Sequence, residues 1–91
     1  MKMILFVCTG NTCRSSMAEG IMKDLLKDKD IVIKSAGTDV FFSEPANQKA
    51  IDIMSQMDVD IKNHLSQMLT EELIEEADLI LTMTHYHTDN V

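Results

Sequence analysis

One feature constrains this chain more than any other: an apolar run that ends on a cysteine and turns at once into a helix. Met3 to Val7, "MILFV", carries no polar side chain. A strand of that kind is buried on both faces, as in a parallel sheet. Cys8 follows, then "TGNTCRS". Beyond it, Met17, Ala18, Ile21, Met22, Leu25 and Leu26 form one helical face, predicting a helix over Ser15 to Lys27. Ser16 and Glu19 stand at capping-box spacing near its start.

The same alternation continues. "DIVIKSAG", Asp30 to Gly37, reads as a second, shorter strand. "TDVFFSEP" is a loop, and Pro45 suits a first helical turn. A helical stripe of Ala50, Ile53, Met54 and Met57 follows. Asp58 to Leu69 fits either a short strand or an irregular piece. Thr70, Glu71 and Glu72 form a capped helix start, with carboxylates at the positive end of the dipole, and that helix runs through Ala77. "DLILTM" is a third strand. Strands alternating with helices imply an α/β fold, a three-layer open parallel sheet with right-handed crossovers. In strand order 2-1-3, the turn after strand 1 is a topological switch point, where open α/β sheets bind ligands.

Ninety-one residues suit a single domain, 1–91, with a modest core. Four aromatic residues and eight methionines make that core aliphatic and thioether-rich. A net charge of −7 argues against nucleic acid or an acidic membrane as partner, so any affinity for phosphate must be local. No segment is long enough to span a bilayer, and "MKMILFVC" is too short an apolar run for a signal peptide. Two cysteines, Cys8 and Cys13, do not make a disulfide scaffold. The expected setting is reducing and cytoplasmic.

Chemistry concentrates in "CTGNTCRS". Gly10 permits a backbone conformation closed to other residues, and Asn11 tolerates a left-handed one. A tight loop of this kind turns successive N–H groups inward as an anion nest, and the following helix adds its dipole. Arg14 supplies a bidentate fork for two oxygens of a tetrahedral oxyanion. The same field favours Cys8 as a thiolate, poised beneath a bound phosphate for in-line attack. Ser15 can hydrogen-bond that thiolate and help it leave. The blander reading, a buried structural cysteine before a surface turn, explains the Cys8-to-Arg14 spacing but not the strand, turn and helix around it. Cys13 is either a resolving thiol that forms a reversible disulfide with Cys8 or a small buried residue.

The chain resembles the low-molecular-weight protein-tyrosine-phosphatase family, whose signature is Cys, five residues, Arg, Ser. "VCTGNTCRS", "MAEG", "SAG", "NH", "TEEL" and "ADLILTMTH" occur in the expected order. The resemblance implies Cys8 as nucleophile, Arg14 as phosphate clamp and Thr9, Gly10, Asn11, Thr12 and Cys13 as the rest of the phosphate loop. It also implies a support network of Asn11, Ser15, Ser35 and His64, and it places Phe41 and Phe42 at the substrate rim. Those two rings also fit one core anchor and one exposed ring. Ser16 stands where many members have proline. Thr12, where tyrosine-specific members carry a bulkier aliphatic residue, resembles the bacterial protein-arginine phosphatases. The implied substrate is a phosphorylated protein, phosphoarginine before phosphotyrosine, and free phosphate or another oxyanion would enter the same loop. Arsenate reductases share the loop, but they need cysteines after strand 3, where this sequence has none.

Family members run longer and supply an Asp-Pro loop whose aspartate is the general acid. Here the only proline is Pro45, preceded by Glu44. The expectation is an apparently truncated phosphatase domain, lacking the family's fourth strand and C-terminal helix, with impaired turnover. A catalytically poor phosphate-binding or self-associating module is the alternative. Strand 3 then becomes a bare apolar edge, inviting a homodimer. Asp39 and Glu44 read as solvated carboxylates, with a stand-in acid as the other reading. No cofactor is expected. No metal is expected either, because His85 and His87 lack a third nearby ligand.

Overall fold

A computed structural model describes residues 2–82 of the chain. His85, His87 and the end of the third predicted strand lie outside the described residues. The elements are β1 (Lys2–Cys8), α1 (Arg14–Leu25), β2 (Ile31–Gly37), α2 (Gln48–Gln56), α3 (Glu71–Glu76) and β3 (Leu79–Thr82). The sheet is parallel with order β2-β1-β3, as the alternation of apolar runs predicts. β1 is central because it is the most apolar strand, and Leu5 and Val7 are fully buried. Complete burial of such a side chain contributes about 1.5–3 kcal/mol.

Pleating sorts the core. Met3, Leu5, Val7 and Ala36 face one way and pack with Leu73 of α3. Ser35 faces the other way and meets Glu19 of α1. Behind α1, a second cluster joins Met17 and Ile21 to Ala50 and Met54 of α2 and to Val59 and Ile61. The sheet is therefore covered by α3 on one face and by α1, backed by α2, on the other.

Several local expectations are corrected. The deeply buried residues of α1 are Ser15 and Ser16, while Leu25 is 70% exposed. The helix buries its polar N-terminal end because that end abuts the loop after β1. Ser16 and Glu19 form no capping box: the Ser16 hydroxyl donates to the Cys13 carbonyl at 2.8 Å, and the N-cap, Cys13, makes no side-chain cap bond. Pro45 precedes α2 and bridges to Leu65, and Asn47 caps the helix by accepting from the Lys49 N–H. Of its stripe only Ala50 and Met54 are buried, whereas Ile53 and Met57 are exposed. Among the described residues the buried methionines are Met3 and Met54, so the core there is more aliphatic than thioether. The Thr70 cap holds: its hydroxyl accepts from the Leu73 N–H at 3.2 Å.

The irregular segment after α2 matters for the site. The Gly37 N–H donates to the Gln67 carbonyl and the Leu69 N–H to the Gly37 carbonyl, which lays this segment along the end of β2. Gly37 must be glycine there, since a Cβ would collide with the Thr9 carbonyl oxygen and the Val40 side chain.

Candidate active site

The loop from Cys8 to Arg14 lines a cavity of about 120 Å³ at the C-terminal end of β1. Cys8 is buried at its floor, and Cys13 and Arg14 are exposed at its rim. The left-handed residue is Asn11, at φ 57°; Gly10 has no positive φ, contrary to the sequence expectation. That turn at Asn11 aims its main-chain N–H at the Cys8 sulfur, 3.0 Å away. α1 starts at Arg14, so the positive end of its dipole lies at the cavity.

Asn11 is wholly buried, and its side chain organises the loop. Its Nδ2 donates to Ser15 Oγ and Ser35 Oγ, each at 2.8 Å. Its Oδ1 accepts from the Gln67 N–H at 2.9 Å. Ser15 Oγ lies 2.7 Å from the sulfur. Either the Ser15 hydroxyl or the Cys8 thiol can supply the proton of that contact, while the Asn11 N–H donates to the sulfur in both cases.

A second tier holds the first. Ser35 Oγ donates to Glu19 Oε1. His64 Nε2 donates to the Asn11 carbonyl at 2.7 Å, and its Nδ1 lies 3.5 Å from Glu19 Oε1. Lys23 Nζ meets Glu19 Oε2 at 2.7 Å. Burial is the largest influence on Glu19 and opposes its ionisation. Hydrogen bonds from His64, Lys23 and Ser35 together outweigh it and hold the pKa down to about 2. The Glu19 hydrogen bond raises the His64 pKa, with burial opposing and the Asn11 carbonyl assisting. Residues far apart in sequence thus converge on one loop: Asn11, Ser15, Ser35 and His64, together with Glu19 and Gln67, which the sequence reading did not assign to it. In the sequence Glu19 stands at capping-box spacing from Ser16, which masks its place in the network, and Gln67 carries no signal.

A separate cleft of about 220 Å³ adjoins the cradle, lined by Gly10, Thr12, Asp39, Val40, Phe41, Phe42, Glu44 and Ser66. Thr12 and Gly10 line both cavities. Phe41 and Phe42 are each 79% exposed, so neither is a core anchor. Cys13 is exposed and unbridged, which removes the reading of it as a small buried residue.

Residues 3–91 match the family described as low molecular weight phosphotyrosine protein phosphatase. The chain belongs to that family. The structure is similar to a low molecular weight protein tyrosine phosphatase from T. tengcongensis, with a TM-score of 0.94 and 41% identity, covering 99% of this chain and 63% of that one. Among curated relatives, a protein-arginine-phosphatase of Bacillus subtilis is 43% identical over 86 residues, covering 92% of this chain and 57% of its own length. Arsenate reductase 1 of Staphylococcus haemolyticus is 40% identical over 89 residues, covering 98% and 64%. The chain therefore spans less than two thirds of the length of these relatives. No helix among the described residues is long and apolar enough to cross a membrane.

Proposed function

We propose that this chain is a cysteine-dependent protein phosphatase acting on phosphoarginine through a phosphocysteine intermediate. The observation that supports it is the Cys8 sulfur at the floor of an oxyanion-sized cradle, approached by the Asn11 N–H at 3.0 Å and the Ser15 hydroxyl at 2.7 Å. Thr9 to Cys13 and Arg14 hold the three phosphoryl oxygens. The Cys8 thiolate attacks phosphorus in line, forming an S–P bond as the P–N bond breaks. The electron pair leaves on the guanidino nitrogen, which takes a proton from solvent water. Water then cleaves the S–P bond, releasing inorganic phosphate and returning the thiolate, to which Ser15 donates.

Phosphoarginine is favoured over phosphotyrosine by Thr12, a polar residue that lines both the cradle and the adjoining cleft. The Bacillus subtilis relative, a protein-arginine-phosphatase, agrees with this reading. Arsenate fits the same cradle, and the Staphylococcus haemolyticus relative gives that second reading its support. Cys8 and Cys13 are the only thiols here to serve it, and the same pair is the proposed site of reversible oxidation. Self-association through β3 is proposed as well: Leu79 and Leu81 are exposed on a strand at the end of the sheet order.

Hydrolysis of nitrophenyl phosphate and of a phosphoarginine protein by the 91-residue chain, beside Cys8→Ser, tests the proposal. Activity lost in Cys8→Ser supports it. Indistinguishable rates with phosphate still bound leave a binding module instead. Thr12→Ile should shift preference toward aryl phosphates; no shift removes the argument for phosphoarginine.

A further inference from the structure

The cleft beside the cradle carries a charge pattern that phosphate binding alone does not explain. Asp39 and Glu44 line it with Phe41 and Phe42, and all four are exposed. Neither carboxylate has a side-chain hydrogen bond or ion pair among the described residues. The ion pairs there are those of Glu19 with Lys23 and His64. Two uncompensated anions at the mouth of an anion cradle repel an approaching phosphate dianion, as does the net charge of −7. A substrate that brings its own positive charge reverses that penalty.

We infer that Asp39 and Glu44, with the Phe41 and Phe42 rings, form a docking subsite for a basic side chain flanking the phosphorylated residue of a protein substrate. The inference rests on the cradle reading above and extends it by naming the sequence context of the substrate. Three observations converge. The cleft shares Gly10 and Thr12 with the cradle as lining residues, so it lies beside the position of a phosphoryl group held there. Its volume, about 220 Å³, suits one long side chain. Its chemistry is that of a cation receptor: carboxylates for the charge and aromatic faces for the guanidinium or ammonium. The loop is held in place for the purpose. Ser66, 2% exposed, accepts from the Glu44 N–H at 2.8 Å, and its hydroxyl lies 3.3 Å from the Phe42 carbonyl. Asp39 is tied to the cradle itself, its N–H donating to the Thr9 carbonyl at 3.0 Å. A charged partner here steers encounter and selects sequence more than it adds affinity.

The test uses the full 91-residue chain carrying Cys8→Ser, so that binding is read without turnover. Two fluorescent phosphotyrosine peptides differ only in the flanking residues, arginine in one and glutamate in the other. Anisotropy should show the arginine-flanked peptide binding about two- to tenfold tighter, the range expected of exposed charge pairs. The advantage should fade at 0.5 M salt, as screening requires. It should disappear in Asp39→Asn/Glu44→Gln, while vanadate binding to the Cys8-containing chain with the same two changes is retained or strengthened. An advantage that survives both changes overturns the inference, and so does equal binding of the two peptides while vanadate still occupies the cradle. Should a stable phosphoarginine analogue depend on the two carboxylates regardless of its flanks, they face its own guanidinium and the flanking assignment is wrong. If neither vanadate nor any peptide binds, the cradle reading fails first and takes this one with it.

Discussion

Asn11 reaches the Cys8 sulfur with its main-chain N–H at 3.0 Å, and it does so from a backbone φ of 57°. A left-handed turn at a buried asparagine thus couples the loop's shape to its chemistry. The side chain that tolerates the turn also bonds Ser15, Ser35 and the Gln67 N–H.

Asn11→Gly keeps the turn and removes the side chain, leaving buried partners unsatisfied. The expected loss is about 2–3 kcal/mol of unfolding free energy. Asn11→Ala should cost roughly 1 kcal/mol more, because it adds the strain of positive φ. Urea unfolding of both variants measures the difference. Equal stability of the two would mean that the left-handed turn is not under strain.

The two glycines flanking this geometry should behave differently. Gly37→Ala places a Cβ on the Thr9 carbonyl, at an expected cost of about 1–3 kcal/mol, with weakened phosphate binding. Gly10→Ala meets only Thr12 Oγ1, at 3.7 Å, without a positive φ, so its stability should stay within about 1 kcal/mol of wild type. Thermal melts and phosphate titrations of both variants check the contrast.

Folding raises the His64 pKa above its ordinary 6.5, so the stability it contributes is present below 6.5 and is lost as pH climbs through the folded value. Folding lowers Glu19 from 4.5 to about 2, so its contribution is present above 4.5 and is lost as pH falls toward 2. The network should therefore stabilise most between about pH 4.5 and 6.5. Urea midpoints across pH should show an alkaline decline in wild type that flattens in His64→Gln. An unchanged slope would remove His64 from the linkage.

Leu79 and Leu81 share a pleat face with Ile4 and Phe6 and remain 49% and 37% exposed. Leu79→Lys should reduce self-association in light scattering at high concentration, because charge on an edge strand opposes pairing. A monomeric wild-type chain would make the edge irrelevant.

The architecture was legible in the order of apolar runs. Two-sided apolar strands such as Met3 to Val7 can only be central in a parallel sheet, and the Thr70 cap follows from local chemistry. The position of the cradle was legible too, because Cys8 ends a strand, Arg14 opens a helix, and Asn11 between them tolerates a left-handed turn. Helix faces were less so: Ile53 and Leu25 belong to apolar stripes yet lie exposed, because periodicity marks a face without naming the neighbour that covers it.

By itself, then, the sequence determined the sheet, the loop at its switch point and the identity of the sulfur, all set within a few residues along the chain. The family resemblance implied Asn11, Ser15, Ser35 and His64 around that sulfur, and tertiary structure decided how they meet and added Glu19 and Gln67. Gln67 lies 56 residues from Asn11 and His64 lies 53. It also turned Glu19 from a cap into the anchor of a buried network. Hydrogen bonds of such span depend on how α1, β2 and the segment after α2 pack together, and no local pattern encodes that meeting.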